Sequence, residues 1–520
     1  MSSIDETTDH EDHEPTSQNP MRHQKPERQP DVLSTISEEF DAEEEEKLVK
    51  KLDIFILPIM AIVYLFQYVD KNSISYAAVF GLITDLELTE RDFSWAVSSF
   101  YIGQLISQFP TACWLSYSRI IIFIGTTLVA GGIVEICIAF AENLPVLAAL
   151  RYGLGFAQAA VSPAFIILTS NWYRQHEHPM RVAAWISMNG ISQIVGGILM
   201  YALSDADMAI SSWRVMFLIF GGLTVMFGIL FTVMIPEKTT TAWFLNQRER
   251  HVATKRLAID RASGARKGFD IRQLREALST PLSWLYVLMA FCIASTNPIT
   301  KVYSSIVIRG AGFSESDTML AGLPTGLLNF ATSWISALIP HFFPNTRIYT
   351  AIGLSVIPLA GSMTLSILSC AEDVDSWGIV ASTWLASCYT APLCSCAGLL
   401  ASNVQGNTKK SIVGAGFFVA YSVGSIVGPQ VWGAEDDPED DHQYLAGSIF
   451  TVVNWVMLMS VLLIYLVMVR RENKIRDREA SKGLEESSAA GQDMRDRILI
   501  GEYEDSELTD SQDKRFRYST

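Results

Sequence analysis

Five ionisable residues lie within long apolar runs of the chain, where a charge is costly. They are Asp70, Lys71, Glu135, Arg151 and Lys301. A charged side chain at the centre of a membrane-spanning helix costs about 2.5 to 3.5 kcal/mol even on lenient scales, so such residues mark substrate and proton pathways. These five residues are therefore the first candidates for function.

Asp70 is the candidate for proton coupling. A buried carboxylate stays ionised beside a cation, and it takes up a proton when that cation is withdrawn. Exchange of a cation for a proton is the minimum requirement of a proton-coupled cycle. Arg151 is the predicted partner, because a guanidinium stays charged and binds a carboxylate through two hydrogen bonds. The alternative is that Arg151 only anchors the outer edge of its helix.

The other three charges have weaker interpretations. Lys71 follows Asp70 directly, but adjacent helical residues point about 100° apart, so the two serve separate partners. The long Lys71 side chain can alternatively snorkel to the outer surface. Lys301 shares a helical face with Asn297, and we predict that it faces a polar cavity. Glu135 is interpreted as no more than a charge at the outer end of its helix.

Twelve apolar runs must position these residues. About 20 apolar residues are needed to cross a bilayer core of about 30 Å as a helix. Runs of that size lie near residues 54–76, 93–115, 119–141, 145–171, 180–203, 213–235, 283–306, 318–340, 347–370, 376–402, 411–433 and 445–469. Six spans, a break and six more spans predict an all-α membrane protein with the major facilitator fold, in which two six-helix halves alternate around a central site.

The segments between and beyond the spans are polar. We predict a disordered acidic tail over 1–46, a six-helix bundle over 47–235, a basic cytoplasmic linker over 236–282, a second bundle over 283–470 and a cytoplasmic tail over 471–520. Basic residues concentrate in one set of loops and acidic residues in the other, so the positive-inside rule predicts that both termini are cytoplasmic.

Composition excludes several classes of protein. The chain is 49% hydrophobic and only 18% charged, and its net charge of −16 comes mainly from the tails, which argues against a nucleic-acid partner. The seven cysteines have neither zinc-ligand nor disulfide-framework spacing. No nucleophile with a base and no metal cluster occurs at membrane depth, so we expect no enzyme, no metal and no cofactor.

Several stretches in order resemble the fungal allantoate permease family, an anion:cation symporter branch of the major facilitator superfamily. They read YLFQYVDKNSISYAAVFGLITDLEL, FYIGQLISQFPT, RYGLGFAQAAVSPAF, SNWYRQHEHPMRVAAWISMNG, SNVQGNTKKS and GSIVGPQ. The segments PEKTTTAWFLN and RRENKIRDRE look most like the subgroup that includes the yeast thiamine-pathway transporter. The resemblance implies inward transport of organic anions or vitamin-like carboxylates with protons, with Asp70 as the proton site and Arg151 in contact with it or with the substrate.

Two positions depart from that family. Gln108 and Gln158 stand where relatives commonly have glutamate. Glutamine keeps its hydrogen bonds but cannot titrate, so coupling through Gln158 is excluded. Lys301 is also unusual for the family, and with Arg151 it makes the predicted cavity more positive, which favours an anion.

The remaining candidates bind, gate or shape the helices. We predict that Gln158, Asn189, Gln193 and Asn297 donate hydrogen bonds to the substrate. Arg119 with Lys409 and Lys410 belongs either to a cytoplasmic gate or to the positive-inside signal. Pro163 is expected to bend the fourth span, and Gly428 with Pro429 to shape the eleventh.

The predicted protein is a monomeric transporter in contact with membrane lipid, with a small organic anion as substrate and a proton as the candidate co-substrate. A proton-independent facilitator, an exporter of a secondary metabolite and a non-transporting nutrient sensor are the alternatives. We expect the plasma membrane as its location, with the endoplasmic reticulum as the alternative.

Overall fold

The structure is a computed structural model, and every regular element in the residues it describes is helical. The described residues are 42–117, 119–174, 177–204, 209–262, 270–297, 302–343, 345–368, 375–433, 445–490, 509–512 and 516–519.

The described residues of the first half form ten α-helices. They are α1 (Ala42–Phe55), α2 (Leu57–Val79), α3 (Leu82–Asp85), α4 (Glu90–Tyr117), α5 (Ile120–Ile138), α6 (Leu144–Gln158), α7 (Val161–Trp172), α8 (His178–Ile186), α9 (Met188–Ser204) and α10 (Ser212–Met234). Of these, α2, α4, α5, α6 with α7, α8 with α9, and α10 occupy the first six predicted spans.

The second half begins after two linker helices, α11 (Gln247–Ala262) and α12 (Ile271–Ser279). It contains α13 (Pro281–Ser295), α14 (Tyr303–Gly310), α15 (Glu315–Phe342), α16 (Arg347–Leu368), α17 (Ser376–Ala386), α18 (Thr390–Asn403), α19 (Asn407–Trp432) and α20 (Leu445–Ala490). Helices α13 with α14, α15, α16, α17 with α18, α19 and α20 occupy the last six predicted spans.

Nine helical segments among the described residues are long and apolar enough to cross a membrane, or ten if the bent pair α12 and α13 counts as one. The spans predicted near 93–115 and 318–340 fall in α4 and α15, which have 28 residues each. At about 1.5 Å per residue, both are longer than a bilayer core of about 30 Å. The chain is therefore a multi-pass, all-helical membrane protein.

Proline breaks two equivalent spans at the same place. Pro163 is the third residue of α7, and Pro392 is the third residue of α18. A proline ring crowds the carbonyl four residues earlier, which here belongs to Ala159 or Cys388, and each of these residues lies in the gap between the two helices. The fourth span of each half is consequently made of two helices.

Glycine brings the two halves into contact at the crossing of α9 and α15. A Cβ on Gly190 would overlap the backbone carbonyl of Gly326, and a Cβ on Gly326 would overlap that of Gly190. Small residues of this kind let membrane helices approach until their backbones touch. The crossing fixes Asn189 and Gln193 between the halves.

The halves also meet where α2 ends and α4 begins. Ser94 and Tyr303 share a hydrogen bond of 2.9 Å, and the Tyr303 ring stacks on Trp432. Ser75 donates to the carbonyl of Val302 at 2.8 Å. This end of the bundle is closed by direct contacts between the halves.

The linker packs against the helix ends of the first half. Arg256 of α11 is fully buried and pairs with Glu177 at 2.6 Å. Lys51 pairs with Glu249 of the same linker helix at 2.8 Å. These ion pairs hold α11 beside α1 and the segment between α7 and α8.

Candidate functional site

Asp70 lies in α2 and is fully buried. The Gln158 side chain donates to one of its oxygens at 2.9 Å, and the Thr224 hydroxyl donates to both at 3.0 and 3.1 Å. The carboxylate therefore joins α2 to α6 and α10. Two neutral donors satisfy it in this conformation.

Arg151 is 1% exposed, so the interpretation as an outer-edge anchor is wrong. In the described part of the chain it makes no ion pair within 4.0 Å of Asp70, and its Nε and Nη1 atoms have no hydrogen-bond partner. Gln158 lies seven residues further along α6, about 10 Å at the helical rise, and occupies the place at the carboxylate that we expected for the guanidinium. Arg151 still interacts electrostatically with Asp70.

Glu135 lies in the last turn of α5 but is more than an outer-end charge, and that expectation is corrected. Its side chain is fully buried in α5, and neither carboxylate oxygen has a hydrogen-bond partner. It interacts electrostatically with Asp70 and Arg151. The interpretation failed because it placed Glu135 by its distance along the sequence, whereas the face of α5 that carries Glu135 packs inward against α6 and α10.

Lys71 does not snorkel to the surface. Its ammonium lies 4.8 Å from the ring centre of Tyr101, 5.3 Å from Phe100, 5.7 Å from Tyr68 and 5.9 Å from Tyr421. Tyr421 belongs to α19, so the aromatic cage is built from both halves. The described residues place no carboxylate within 4.0 Å of this ammonium.

One ring contacts both the half-buried Lys71 and the buried Arg151. The centre of the Phe100 ring is 5.3 Å from the Lys71 ammonium and 5.2 Å from the guanidinium carbon of Arg151. Lys71 therefore faces the junction between the halves, while Arg151 stays inside the first half with Asp70 and Glu135.

Two of the predicted hydrogen-bonding residues join the halves. Asn189 donates to the hydroxyls of Tyr389 and Thr390, both at 3.1 Å. Gln193 accepts from Asn329 at 3.5 Å. The Asn189 Oδ1 and Gln193 Nε2 atoms have no partner.

Asn297 is connected to Lys71 through Tyr421, whose ring contacts the ammonium. It donates to the hydroxyl of Tyr421 at 3.0 Å and to Ser425 at 2.8 Å. It therefore supports a ring of the aromatic cage from within the second half. Lys301, the other predicted cation of that span, lies outside the described residues.

A narrow polar cavity of about 30 Å³ lies beside these groups, between α2, α9, α14 and α15. Asn72 lines it, is 2% exposed and has no partner for either amide atom. Sequence analysis missed Asn72, although it follows Lys71 directly. The cavity is about the size of one water, so a larger molecule can enter only if the halves separate.

The model of the Major Facilitator Superfamily matches residues 60–429, which is more than half of the chain. The chain belongs to this superfamily. It is a secondary transporter and not an enzyme, as we predicted from the sequence. The predicted major facilitator fold is confirmed.

Fungal relatives support the resemblance found in the sequence. The transporter is 31% identical to an uncharacterized transporter of Schizosaccharomyces pombe, over 92% of this chain and 88% of the relative. It is 30% identical to the allantoate permease of Saccharomyces cerevisiae, again over 92% and 88%. It is 25% identical to the thiamine pathway transporter of the same yeast, over 91% and 86%. The predicted likeness to allantoate permease is thus confirmed.

Solved structures support the fold alone. The proton:xylose symporter XylE, bound to a bromodeoxyglucose, aligns with a TM-score of 0.62 at 15% identity, covering 79% of this transporter and 95% of that chain. An identity this low carries no information on substrate.

Gln108 lies at the other helix crossing between the halves. Its side-chain amide donates to the Ser422 hydroxyl at 2.9 Å and to the Phe418 carbonyl at 3.3 Å. Gly428 and Pro429 lie further along the same helix α19, which continues to Trp432 in spite of the proline. The α4 and α19 crossing is therefore held by a neutral amide.

The predicted gate residues do not lie together. Arg119 is 71% exposed in its side chain and reaches Glu237 at 3.7 Å. Lys409 is buried and pairs with Glu276 at 2.8 Å and with Asp510 at 2.7 Å, while Lys410 donates to the carbonyl of Ala401. Lys409 is thus neutralised by linker helix α12 and by the C-terminal segment (residues 509–512 and 516–519), and the sequence carried no signal of that contact.

Proposed function

We propose that this transporter carries a small organic anion by alternating access, with a proton as co-substrate. The observation that supports it is the Lys71 ammonium, which lies between aromatic rings of both halves and, among the described residues, lacks an acidic partner. A half-buried cation without a counterion still carries a desolvation cost, and aromatic rings offset only part of that cost. A substrate carboxylate supplies the missing negative charge.

The cage also suits the rest of a carboxylate substrate. Four ring faces offer apolar contact to the body of the molecule, and the unpaired Asn189 and Gln193 atoms offer hydrogen bonds. Because Tyr421 comes from α19 and the other three rings from α2 and α4, a bound anion contacts both halves. Rocking of one half against the other would then expose the anion alternately to the two sides.

The test is uptake into liposomes that contain the purified full chain. The probes are radiolabelled allantoate, nicotinate, pantothenate and biotin, supplied with and without an inward proton gradient. We expect concentrative uptake of at least one probe when the gradient is present. Lys71→Gln should raise the KM for that probe at least tenfold, and Lys71→Arg should retain part of the affinity.

The matched control is Lys50→Gln, because Lys50 is 70% exposed in its side chain and forms only a surface pair with Glu46. That pair contributes little, so uptake should be unchanged. Unchanged uptake in Lys71→Gln would refute the proposal that Lys71 binds the anion.

A proton-independent facilitator or exporter is the second candidate, and Gln108 with Gln158 favours it because neither amide titrates. Flux that is equal with and without the gradient and never concentrates the probe would establish that candidate. Saturable binding of a probe without any flux would instead establish the nutrient sensor.

We also propose that the chain is a monomer with both termini in the cytoplasm, in the plasma membrane rather than the endoplasmic reticulum. The charge distribution of the loops supports the orientation. Protease protection of terminal tags in intact cells tests it, and cleavage of either tag from outside would contradict it.

A further inference from the structure

Two buried carboxyl groups share one buried guanidinium inside the first half. Asp70 and Glu135 are fully buried, and Arg151 is 1% exposed. Glu135 has no role in the function proposed above, and neither of its oxygens accepts a well-formed hydrogen bond from a described N–H group or hydroxyl, while its carboxyl meets that of Asp70. An unpartnered, ionised carboxylate at this depth would be costly.

The packing of α5 places Glu135 on the face that meets the Asp70 site. A Cβ on Gly131, one turn earlier, would lie 3.5 Å from the Gln158 side chain, which itself bonds Asp70. Residues four apart share a helical face. Glu135 consequently faces the same junction of α2, α5 and α6, where it interacts electrostatically with Asp70 and Arg151.

Helices α5, α6 and α10 bring no charge to this depth besides Glu135 and Arg151, and Lys71 of α2 faces the junction between the halves. Helix α10 presents Thr224 to Asp70, and its single charged residue is Arg214. Arg214 donates to the carbonyls of Ala139 and Ala141 beyond the end of α5. The balance of charge therefore depends on two carboxyls and one guanidinium.

Such a cluster is neutral only when one carboxyl is protonated or when a second cation joins it. Two nearby carboxylates resist ionising together, and the proton then belongs to the pair rather than to one residue. We propose that Asp70 and Glu135 hold one exchangeable proton between them and that this pair couples proton movement to the anion. This inference rests on the proton-coupled transport proposed above.

The arrangement explains how proton and anion binding favour each other. Lys71 and Arg151 both contact the Phe100 ring, and the two cations interact electrostatically. Binding of one proton to the carboxyl pair raises the net charge felt at Lys71 by one. That charge attracts a substrate anion to Lys71, and by linkage a bound anion strengthens proton binding.

The test is infrared difference spectroscopy of the purified full chain between acidic and neutral pH, following the carbonyl stretch of a buried protonated carboxyl. No substrate is needed. We expect one such band at neutral pH in the wild type. Either Asp70→Asn or Glu135→Gln should abolish it, because the remaining carboxyl then pairs with Arg151 alone. Glu249→Gln, a surface acid in the linker, should leave the band unchanged.

Survival of the band in Glu135→Gln would assign the proton to Asp70 alone, and survival in Asp70→Asn would assign it to Glu135 alone. Either result overturns the shared pair. Arg151→Gln supplies a further check if one variant fails to fold, since removal of the cation should double the band, and an undoubled band would overturn the pair.

The transport assay keeps the two proposals distinguishable. Absence of gradient-driven uptake by the wild type would refute the proposed symport, whatever the spectra show. Gradient-driven uptake that persists in Glu135→Gln would refute only the role of the pair.

Discussion

Gln158 of α6 donates a hydrogen bond of 2.9 Å to Asp70. Asp70 is the residue proposed to carry the proton, and the Gln158 amide that contacts it cannot titrate. The amide stabilises the ionised carboxylate without competing for its proton. Thr224 adds a second neutral donor from α10. Arg151 acts on this site through its charge rather than through a direct ion pair.

Replacement of Gln158 should therefore destabilise the first half. Gln158→Leu removes a donor from a buried carboxylate, and we expect a loss of about 1 to 3 kcal/mol in the free energy of unfolding. The measurement is thermal unfolding in detergent. Gln104→Leu is the matched control, because the buried Gln104 Oε1 has no partner to lose. An equal effect of both substitutions would mean that lost packing, not the hydrogen bond, is responsible.

The fold was predictable because apolar runs of bilayer length are a strong signal in one dimension. In the described residues each of the twelve predicted spans falls on one helix or on a pair of consecutive helices, and the bend expected at Pro163 lies beside a break. Asp70 and Arg151 could be picked out as candidates for a similar reason, since a charge inside an apolar run is visible in the sequence.

The site itself depends on which faces of the helices pack together, and this packing could not be predicted from the sequence. Glu135 resembled an end charge until the packing of α5 on α6 turned its face inward. Lys71 could snorkel on an isolated helix, but α4 and α19 surround it with Phe100, Tyr101 and Tyr421. Lys409 meets Asp510 across about a hundred residues of sequence, a separation that no local pattern reveals.

Contact between the halves should depend on Gly190. Gly190→Ala places a methyl group against the backbone carbonyl of Gly326, which cannot move as a side chain can. Overpacking of this kind costs about 1 to 3 kcal/mol and pushes the halves apart. We expect a lower unfolding temperature and faster modification of a cysteine introduced at Gln193 by a water-soluble maleimide.

Gly322→Ala is the control for that experiment. Gly322 lies in α15 as Gly326 does, but a Cβ there meets nothing within 4 Å. Because alanine favours helix over glycine, stability should be unchanged or slightly higher. The contact at Gly190 would be contradicted if the two variants behaved alike.

The C-terminal segment should detach when Asp510 is neutralised. Asp510 is 4% exposed in its side chain, pairs with the buried Lys409 at 2.7 Å and accepts from the Tyr518 hydroxyl at 2.8 Å. Asp510→Asn leaves Lys409 with Glu276 as its acidic partner and with the Ser511 hydroxyl, and should cost about 1 to 3 kcal/mol of docking free energy. Limited proteolysis should then cleave the segment several-fold faster.

The same segment provides the matched control. Asp477 pairs with Arg517 at 2.6 Å but is 67% exposed in its side chain. An exposed pair contributes little, so Asp477→Asn should leave the cleavage rate unchanged. If Asp510→Asn is also cleaved at the wild-type rate, the buried ion pair does not hold the segment.

The short helix α3, which ends at Asp85, should become less stable in acid. The Trp213 indole and the Ser211 hydroxyl donate to its carboxylate at 2.8 and 2.7 Å, and these bonds hold the pKa of Asp85 below its ordinary value of 3.8. A lowered pKa means that the folded state favours the ionised form, so the contribution is complete above about pH 5 and is lost as the pH falls through the folded-state pKa. Because Asp85 is exposed, we expect only about 0.5 kcal/mol. In thermal unfolding followed in detergent, Asp85→Asn should therefore unfold at a slightly lower temperature than the wild type at pH 7. In strong acid the two proteins should unfold at the same temperature. A difference that persists in strong acid would show that ionisation of Asp85 is not its cause.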